Sequence, residues 1–277
     1  MTHPIDEQRK QALIETFEAV AAGYDNPAQR YFPFCADRLV TFLQPRPGEK
    51  ILDVGTGTGA VATAVAQFLL PGGRVTAIDL SEAMLTRAEA NARKMALDNI
   101  DFHLMDGEAP EFKNNYFDAV SASFCLFMFT DMVAGLTQWR RVLKPGGRVI
   151  FSSFTASAFQ PFIDLLLDEA AAISGEPRDV HAMPLMDAAE CEAVLHEAGF
   201  TDISVATVQL GYHLAGPAEW WEIVENTGLR MRLATLSPVQ QATLRQRHLD
   251  ELASHVDDKG LWLNVETLIS RARAPGV

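Results

Sequence analysis

The chain is short of cysteine and of long apolar runs. Its three cysteines, Cys35, Cys125 and Cys191, lie far apart in 277 residues and form no C-x-x-C pair. This spacing argues against a disulfide framework or a zinc site and favours reduced thiols in a cytoplasmic protein. No apolar run approaches the roughly 20 residues that a bilayer span requires. The N-terminal segment has mixed charge and lacks the continuous apolar region of a signal peptide, so we expect no membrane span.

Positive charge is also scarce. The sequence holds 23 Lys and Arg residues against 36 Asp and Glu residues, a net charge of −13. Nucleic-acid binding requires clustered basic side chains, so we expect no nucleic-acid partner. The one short basic cluster, Arg140, Arg141 and Lys144, has helical spacing and is interpreted as a solvated helix face.

What the chain does have is an alternation of β-rich segments and helical patterns. Strands are predicted at 50–54, 74–79, 100–104, 116–121 and 147–153. Helices are predicted between them near 59–70, 81–97 and 130–142, the second with Ser81 as N-cap. This alternation predicts an α/β fold with a parallel sheet covered on both faces.

The pattern changes after residue 155. Helices are predicted at 158–173, from Asp187 to near Gly199, and in two pieces from Pro217 and from Ser237 to about Asp257. Two further strands are predicted at 201–213 and 261–273. Strands joined through helices at the end of such a sheet can pair antiparallel, which predicts a mixed edge.

Three glycines follow the first predicted strand in the stretch ILDVGTGTGA, residues 51–60. Gly55, Gly57 and Ala60 fit the dinucleotide pattern G-x-G-x-x-G/A, in which bare backbone approaches a ligand at a helix N-terminus. Asp79 ends the second strand, where a carboxylate can accept hydrogen bonds from ribose hydroxyls. These features suit a nicotinamide cofactor and S-adenosylmethionine (SAM) equally.

Further features favour SAM. Asp53 stands beside the loop, where an acid suits a cofactor with an ammonium and a sulfonium and would repel a pyrophosphate. Asp106 and Gly107 follow the third strand, where an acid can accept a hydrogen bond from an adenine amino group. A Pro-Gly-Gly turn in LKPGGRVIF, residues 143–151, leads into the fifth strand.

With these motifs, residues 17–154 resemble class I SAM-dependent methyltransferases, similar to the family that includes ubiquinone/menaquinone-biosynthesis C-methyltransferases. The upstream run FEAVAAGYD resembles the family's N-terminal helix, whose Tyr-Asp, here Tyr24 and Asp25, closes over the cofactor. The resemblance implies SAM as cofactor, S-adenosylhomocysteine (AdoHcy) as product and no metal. The cofactor-binding residues that it implies are Tyr24, Asp53, Gly55, Thr56, Gly57, Gly59, Asp79, Leu80, Met84, Asp106, Gly107, Glu108 and Ser123.

The resemblance also implies a Rossmann-like sheet of seven strands, mostly parallel, with an antiparallel last strand. We expect residues 1–277 to form one methyltransferase domain. Within it, helices in 1–45 cover the cofactor, and 217–258 is a helical cap inserted between the last two strands.

The methyl acceptor is less well indicated. Residues Phe124, Phe127 and Met128 follow the fourth strand, where the family lines its substrate pocket, and Trp220 and Trp221 begin the predicted cap. The quinone-ring enzymes usually carry an Arg-Asn pair where Phe127 and Met128 stand, and the apolar replacement favours a small lipophilic or aromatic acceptor. The O-, N-, C- and S-nucleophiles all remain open.

Methyl transfer from a sulfonium needs little beyond positioning and exclusion of water. Tyr24 is the best candidate for a residue near both cofactor and substrate, and His181 is a candidate base in the loop after the helix at 158–173. Two other functional classes stay open at this point: a nicotinamide-dependent oxidoreductase and a non-catalytic partner subunit with this fold.

Overall fold

The computed structural model describes residues 4–178 and 183–276. Its helices are α1 (Pro4–Val20), α2 (Tyr31–Leu43), α3 (Ala60–Ala66), α4 (Glu82–Lys94), α5 (Met132–Val142), α6 (Phe162–Ser174), α7 (Ala188–Glu197), α8 (Pro217–Glu225) and α9 (Pro238–Leu252). Its strands are β1 (Lys50–Val54), β2 (Arg74–Asp79), β3 (Ile100–Leu104), β4 (Phe117–Ser123), β5 (Leu143–Phe154), β6 (Thr201–Gln209), β7 (Tyr212–Leu214), β8 (Leu261–Leu263) and β9 (Glu266–Arg273). Short 3₁₀ turns include Ala21–Gly23, Leu126–Met128 and Gly228–Leu233.

Seven of these strands form one sheet in the order β3-β2-β1-β4-β5-β9-β6. Strands β1 to β5 pair in parallel, whereas β9 runs antiparallel to both β5 and β6. The predicted seven-stranded, mostly parallel sheet with an antiparallel last strand is confirmed. In such an open sheet the ligand site lies outside the carboxyl ends of the strands, where the strand order reverses. Here that reversal is between β1 and β4.

The two late strands differ from their prediction. Each was expected to be continuous, but 201–213 divides into β6 and β7, and 261–273 into β8 and β9. The short pieces β7 and β8 form a separate two-stranded ribbon. The bend is held by Gln209, whose side-chain Oε1 accepts from the N–H of Gly211 at 2.7 Å and of Val265 at 3.1 Å. Gly211 is required there, because a Cβ would lie 2.6 Å from the Leu263 carbonyl oxygen.

The helix starts follow the capping residues that the sequence indicates. The Ser81 hydroxyl accepts from the N–H of Met84 at the start of α4, and Asp187 accepts from Glu190 at the start of α7. Ser237 and Gln240 form a complete capping box at the start of α9. Each cap satisfies backbone N–H groups that the first helical turn leaves without a partner. No helix in the described ranges is long and apolar enough to cross a membrane.

Candidate active site

A cavity of about 730 Å³ opens at the carboxyl ends of the parallel strands. We call one side the cofactor half; it is lined by Gly55, Gly57, Asp79, Leu80, Ser81, Met84, Asp106, Gly107 and Glu108. We call the other side the acceptor half; it is lined by Tyr31, Phe32, Phe124, Phe127, Met128, Phe154, Phe159, Gln160, Met183, Leu229 and Met231. The cavity thus joins a backbone-rich wall to a wall of aromatic and thioether side chains.

The loop after β1 turns through left-handed backbone conformations at two of the cavity's glycines. Gly55 has a φ of 61°, and a Cβ there would lie 2.7 Å from the Cβ of Cys125. Gly57 has a φ of 54°, and a Cβ there would come no nearer to any atom than 3.8 Å, from a ring carbon of Tyr24. Gly57 lines the cavity, so that free space is space a ligand can use. The loop therefore presents bare backbone to the cofactor half.

Asp79 lies at the carboxyl end of β2 and holds this loop in place. Its Oδ2 accepts from the N–H of Gly57 at 2.8 Å, and its Oδ1 accepts from the N–H of Ser81 at 2.9 Å. Burial raises the pKa of Asp79, and these two backbone donors oppose the shift. Each carboxylate oxygen has a further lone pair. The group can accept additional hydrogen bonds from a ligand in the cavity.

Asp53 and Thr56, two of the predicted cofactor-binding residues, lie beneath the loop and not on the cavity wall. The Asp53 side chain is 1% exposed and accepts from Thr56 Oγ1 at 2.6 Å and from Ser121 Oγ at 2.7 Å. Burial raises its pKa to about 6, against the lowering effect of the two hydroxyl donors. Gly59 is also absent from the wall; it sits at the N-cap of α3 against Ala88. These residues support the loop from behind.

The loop after β3 forms the far wall of the cofactor half. Asp106 Oδ2 accepts from Lys10 Nζ of α1 at 2.8 Å, and its Oδ1 accepts from the N–H of Glu108 at 2.8 Å. Lys10 Nζ also lies 3.2 Å from Glu108 Oε1. Gly107 allows close packing, because a Cβ there would lie 2.4 Å from Val54 Cγ1. The two predicted acids therefore line the cavity beside a lysine that the sequence did not single out.

The N-terminal segment lies against the same half. Glu18 at the end of α1 accepts from Ser81 Oγ at 2.8 Å and from the N–H of Ala83 at 3.1 Å, which ties α1 to the start of α4. Tyr24 lines the cavity, whereas Asp25 points away and accepts from Arg87 at 2.9 Å. Burial raises the pKa of Tyr24, and the nearby carboxylate of Asp79 adds to this, so the phenol keeps its proton at neutral pH.

Aromatic rings from separate elements build the acceptor half. Phe124, after β4, stacks on Phe154 at the end of β5 with ring centroids 4.1 Å apart and planes 8° apart. Phe159 packs on Phe154 at 4.9 Å, and Tyr31 of α2 meets Phe124, Phe154 and Phe159 edge-on. Such edge and stacked contacts are favourable arrangements for aromatic rings. Of the predicted pocket residues, Phe124, Phe127 and Met128 line the cavity, as does Ser123.

Trp220 and Trp221, two of the predicted pocket residues, do not line the cavity. Trp220 is 0% exposed and packs behind the wall against Phe159 and Phe162, while Trp221 is 2% exposed. The Trp220 Nε1–H donates to His248 Nε2 at 2.9 Å, and His248 Nδ1 lies 3.1 Å from Glu169 Oε2. Burial lowers the pKa of His248 to about 4, so the ring is neutral and can accept from the indole. The contacts from Trp220 to His248 and from His248 to Glu169 join α8 to α9 and α6.

His181, the candidate base, lies outside the described residues. Sequence reasoning missed several wall residues: Tyr31, Phe32, Phe154, Phe159, Gln160 and Lys10. The aromatic run of Tyr31, Phe32 and Phe34 was the available signal, but α2 lies before the motifs and nothing local marks which ring faces a ligand. Within residues 4–178 and 183–276, no three His, Cys, Asp or Glu side chains gather as a metal site.

Comparison with known proteins places this site in a family. A model described as a methyltransferase domain matches residues 51–147. The aklanonic acid methyltransferase DauC of Streptomyces sp. (strain C5) is 32% identical over 57% of this chain and 72% of its own. Nocamycin O-methyltransferase of Saccharothrix syringae is 29% identical over 86% of this chain and 90% of its own. The ubiquinone/menaquinone biosynthesis C-methyltransferase UbiE of Cronobacter sakazakii is 30% identical over 56% of this chain and 64% of its own.

The fold and these matches define an enzyme of the SAM-using class. The chain belongs to the class I SAM-dependent methyltransferases, and its cofactor is SAM. This finding overturns the nicotinamide oxidoreductase and partner-subunit alternatives. The cofactor half fits SAM for two reasons. There is open space at Gly57 beside the Asp79 carboxylate, which can accept hydrogen bonds from ribose hydroxyls, and two further acids line the wall. When bound, SAM supplies an electrophilic methyl group.

Proposed function

We propose that the protein transfers the methyl group of SAM to an oxygen of a small, lipophilic, aromatic acceptor. The observation that supports this most is the acceptor half itself, where Tyr31, Phe124, Phe154 and Phe159 form one continuous set of ring contacts beside the cofactor half. Flat aromatic faces select flat apolar ligands by area burial and ring packing.

Outside the carboxylates of the cofactor half, the titratable groups considered on the described part of the wall favour an acceptor that ionises without help. Burial raises the pKa of both Tyr24 and Tyr31, so neither phenol accepts a proton at neutral pH. Asp164 lines the cavity but is paired with Arg178. An acidic O–H, as in a phenol, enol or carboxylic acid, loses its proton more readily than an aliphatic alcohol or a ring carbon. The names of two relatives, nocamycin O-methyltransferase and the aklanonic acid methyltransferase, agree with this choice.

In this proposal, catalysis is positioning and desolvation. The aromatic wall holds the acceptor against the cofactor half and keeps water from the ionised oxygen, which makes that oxygen more reactive toward the methyl group. Tyr24 shapes the junction of the two halves and does not act as a base. The part of the 217–258 insertion that covers the acceptor is the turn Gly228–Leu233, whose Gly228, Leu229 and Met231 line the cavity.

The test is a methyl-transfer assay with radiolabelled SAM and three acceptor classes. We expect label in 2-hydroxyanthraquinone and in a hydroxynaphthoic acid, and none in aromatic amines or aliphatic alcohols of similar size. Calorimetry with AdoHcy provides the folding and cofactor control. Tight AdoHcy binding with label only in amines would refute the oxygen acceptor and leave the methyltransferase assignment intact.

A further inference from the structure

Tyr31 presents a hydroxyl that the fold itself does not use. The residue is 2% exposed, yet its Oη makes no hydrogen bond within the described chain. The oxygen itself is not fully buried. Tyr31 lines the cavity. An unsatisfied polar group is costly in an apolar setting unless water or a ligand completes it. The hydroxyl therefore faces the open volume of the acceptor half.

Tyr212 offers an internal comparison. It is also buried, at 8% exposed, and its Oη donates to the carbonyl of Ala28 at 2.6 Å. Tyr212 is absent from the cavity wall. The hydroxyls of these two buried tyrosines thus differ. The Tyr212 hydroxyl is satisfied by a protein carbonyl, whereas the Tyr31 hydroxyl is available to a ligand in the cavity.

The position of Tyr31 separates it from the reacting centre. Tyr24, beside the glycine loop, stacks on Phe32 at 4.8 Å, and Phe32 in turn contacts Tyr31 at 4.3 Å. The Tyr31 hydroxyl therefore belongs to the aromatic wall, one ring beyond the junction of the two halves.

We propose that Tyr31 is a specificity-determining residue that donates a hydrogen bond to a second, non-reacting oxygen of the acceptor. The substrate class is an aromatic compound in which a carbonyl or hydroxyl accompanies the methylated hydroxyl. Because burial keeps the phenol protonated, Tyr31 acts as a donor throughout the neutral range. This inference rests on the proposed function and makes it more specific, since it names the second polar group that a lipophilic acceptor carries.

The test compares two probes in the presence of AdoHcy: 2-hydroxyanthraquinone, which has carbonyl oxygens, and 2-hydroxyanthracene, which has the same three fused rings without them. We expect wild type to bind the quinone more tightly by about tenfold, the range of one hydrogen bond to a buried donor. Tyr31→Phe should remove that preference while AdoHcy affinity and the urea midpoint stay unchanged. In turnover, it should raise KM for the quinone and leave kcat nearly constant.

Tyr212→Phe is the matched control, because it deletes the same atom from a phenol that has a protein partner. It should lower the urea midpoint and keep the probe preference. The proposal is overturned if wild type shows no preference, if Tyr31→Phe retains it, or if Tyr212→Phe abolishes it as well. Preferred binding of the quinone without its methylation would contradict the proposed function and leave the Tyr31 hydrogen bond standing.

Discussion

The two halves of the cavity are built by different means. In the cofactor half, the groups that face a ligand come within a few residues of the ends of β1, β2 and β3, and many are backbone atoms held by left-handed turns. In the acceptor half, the groups are side chains from α2, the loop after β4, the end of β5, the segment before α6 and the turn Gly228–Leu233. The cofactor half is built from short segments next to strand ends, whereas the acceptor half is assembled from elements that lie far apart in the sequence.

This difference explains why one fold can serve many acceptors. The glycine loop and Asp79 constrain each other, because the Gly57 N–H bonds to the Asp79 carboxylate. A change in either disturbs the same turn. Among the described residues the aromatic wall has no comparable network, and rings of similar size can replace one another at modest cost. The cofactor half should therefore be intolerant of substitution, and the acceptor half tolerant, unless the substitution reaches the packing behind it.

The sharpest test of the first half is Gly57→Val. Its φ of 54° is strained for a branched residue, and the side chain would enter space that opens on the cavity. AdoHcy binding should become undetectable in calorimetry, whereas the circular dichroism spectrum should stay native. Persistent tight binding by a folded variant would show that the loop is not the cofactor wall.

The next largest effect should come from behind the second half. Trp220→Ala removes a fully buried ring that packs on Phe159 and Phe162, and we expect about 3–5 kcal/mol of lost stability. Trp220 supports the ring of Phe159 and is absent from the cavity wall, so we expect acceptor binding to weaken together with stability. Trp220→Phe is the control that retains a smaller aromatic ring and loses the hydrogen bond to His248. A rise in acceptor KM in a variant of unchanged stability would mean that Trp220 contacts the acceptor.

The sequence predicted the local wall well and the assembled wall poorly, for a physical reason. Strand ends, glycine turns and N-caps are local signals, so β1 to β5, Asp79 and the Asp106 turn could be recognised from a few neighbouring letters. Tyr31 joins the acceptor half only because α2 packs over β4 and β5, and no local pattern records that. Trp220 and Trp221 show a limit in the other direction. A large ring next to a predicted cap is as compatible with the core as with a pocket, so the sequence alone does not assign it to either.

A smaller effect is expected at Asp79, on the cofactor side. Asp79→Ala removes an acceptor for two ribose hydroxyls and the partner of the Gly57 N–H, so AdoHcy binding should weaken by about 1.5–3 kcal/mol. Asp79→Asn preserves the shape and retains one acceptor oxygen, and should fall between the two. Unchanged affinity in calorimetry for Asp79→Ala would remove the residue from the site.

The smallest expected effect distinguishes the layer beneath the loop from the wall above it. Burial raises the pKa of Asp53 from 3.8 to about 6, so the folded protein holds this proton more tightly than the unfolded chain does. Its contribution to stability is full below about pH 3.8 and is lost as the pH rises through about 6. Asp53→Asn cannot titrate, so the difference in unfolding free energy between wild type and variant should shift by about 2 kcal/mol between pH 4 and pH 7, in favour of the variant at the higher pH. Urea titrations at several pH values measure this difference, in which titrating groups that do not interact with Asp53 cancel. A constant difference across the range would mean that Asp53 is ionised throughout. If Asp53→Asn instead loses much of its AdoHcy affinity while the stability difference stays constant with pH, the Asp53 carboxylate contacts the cofactor directly.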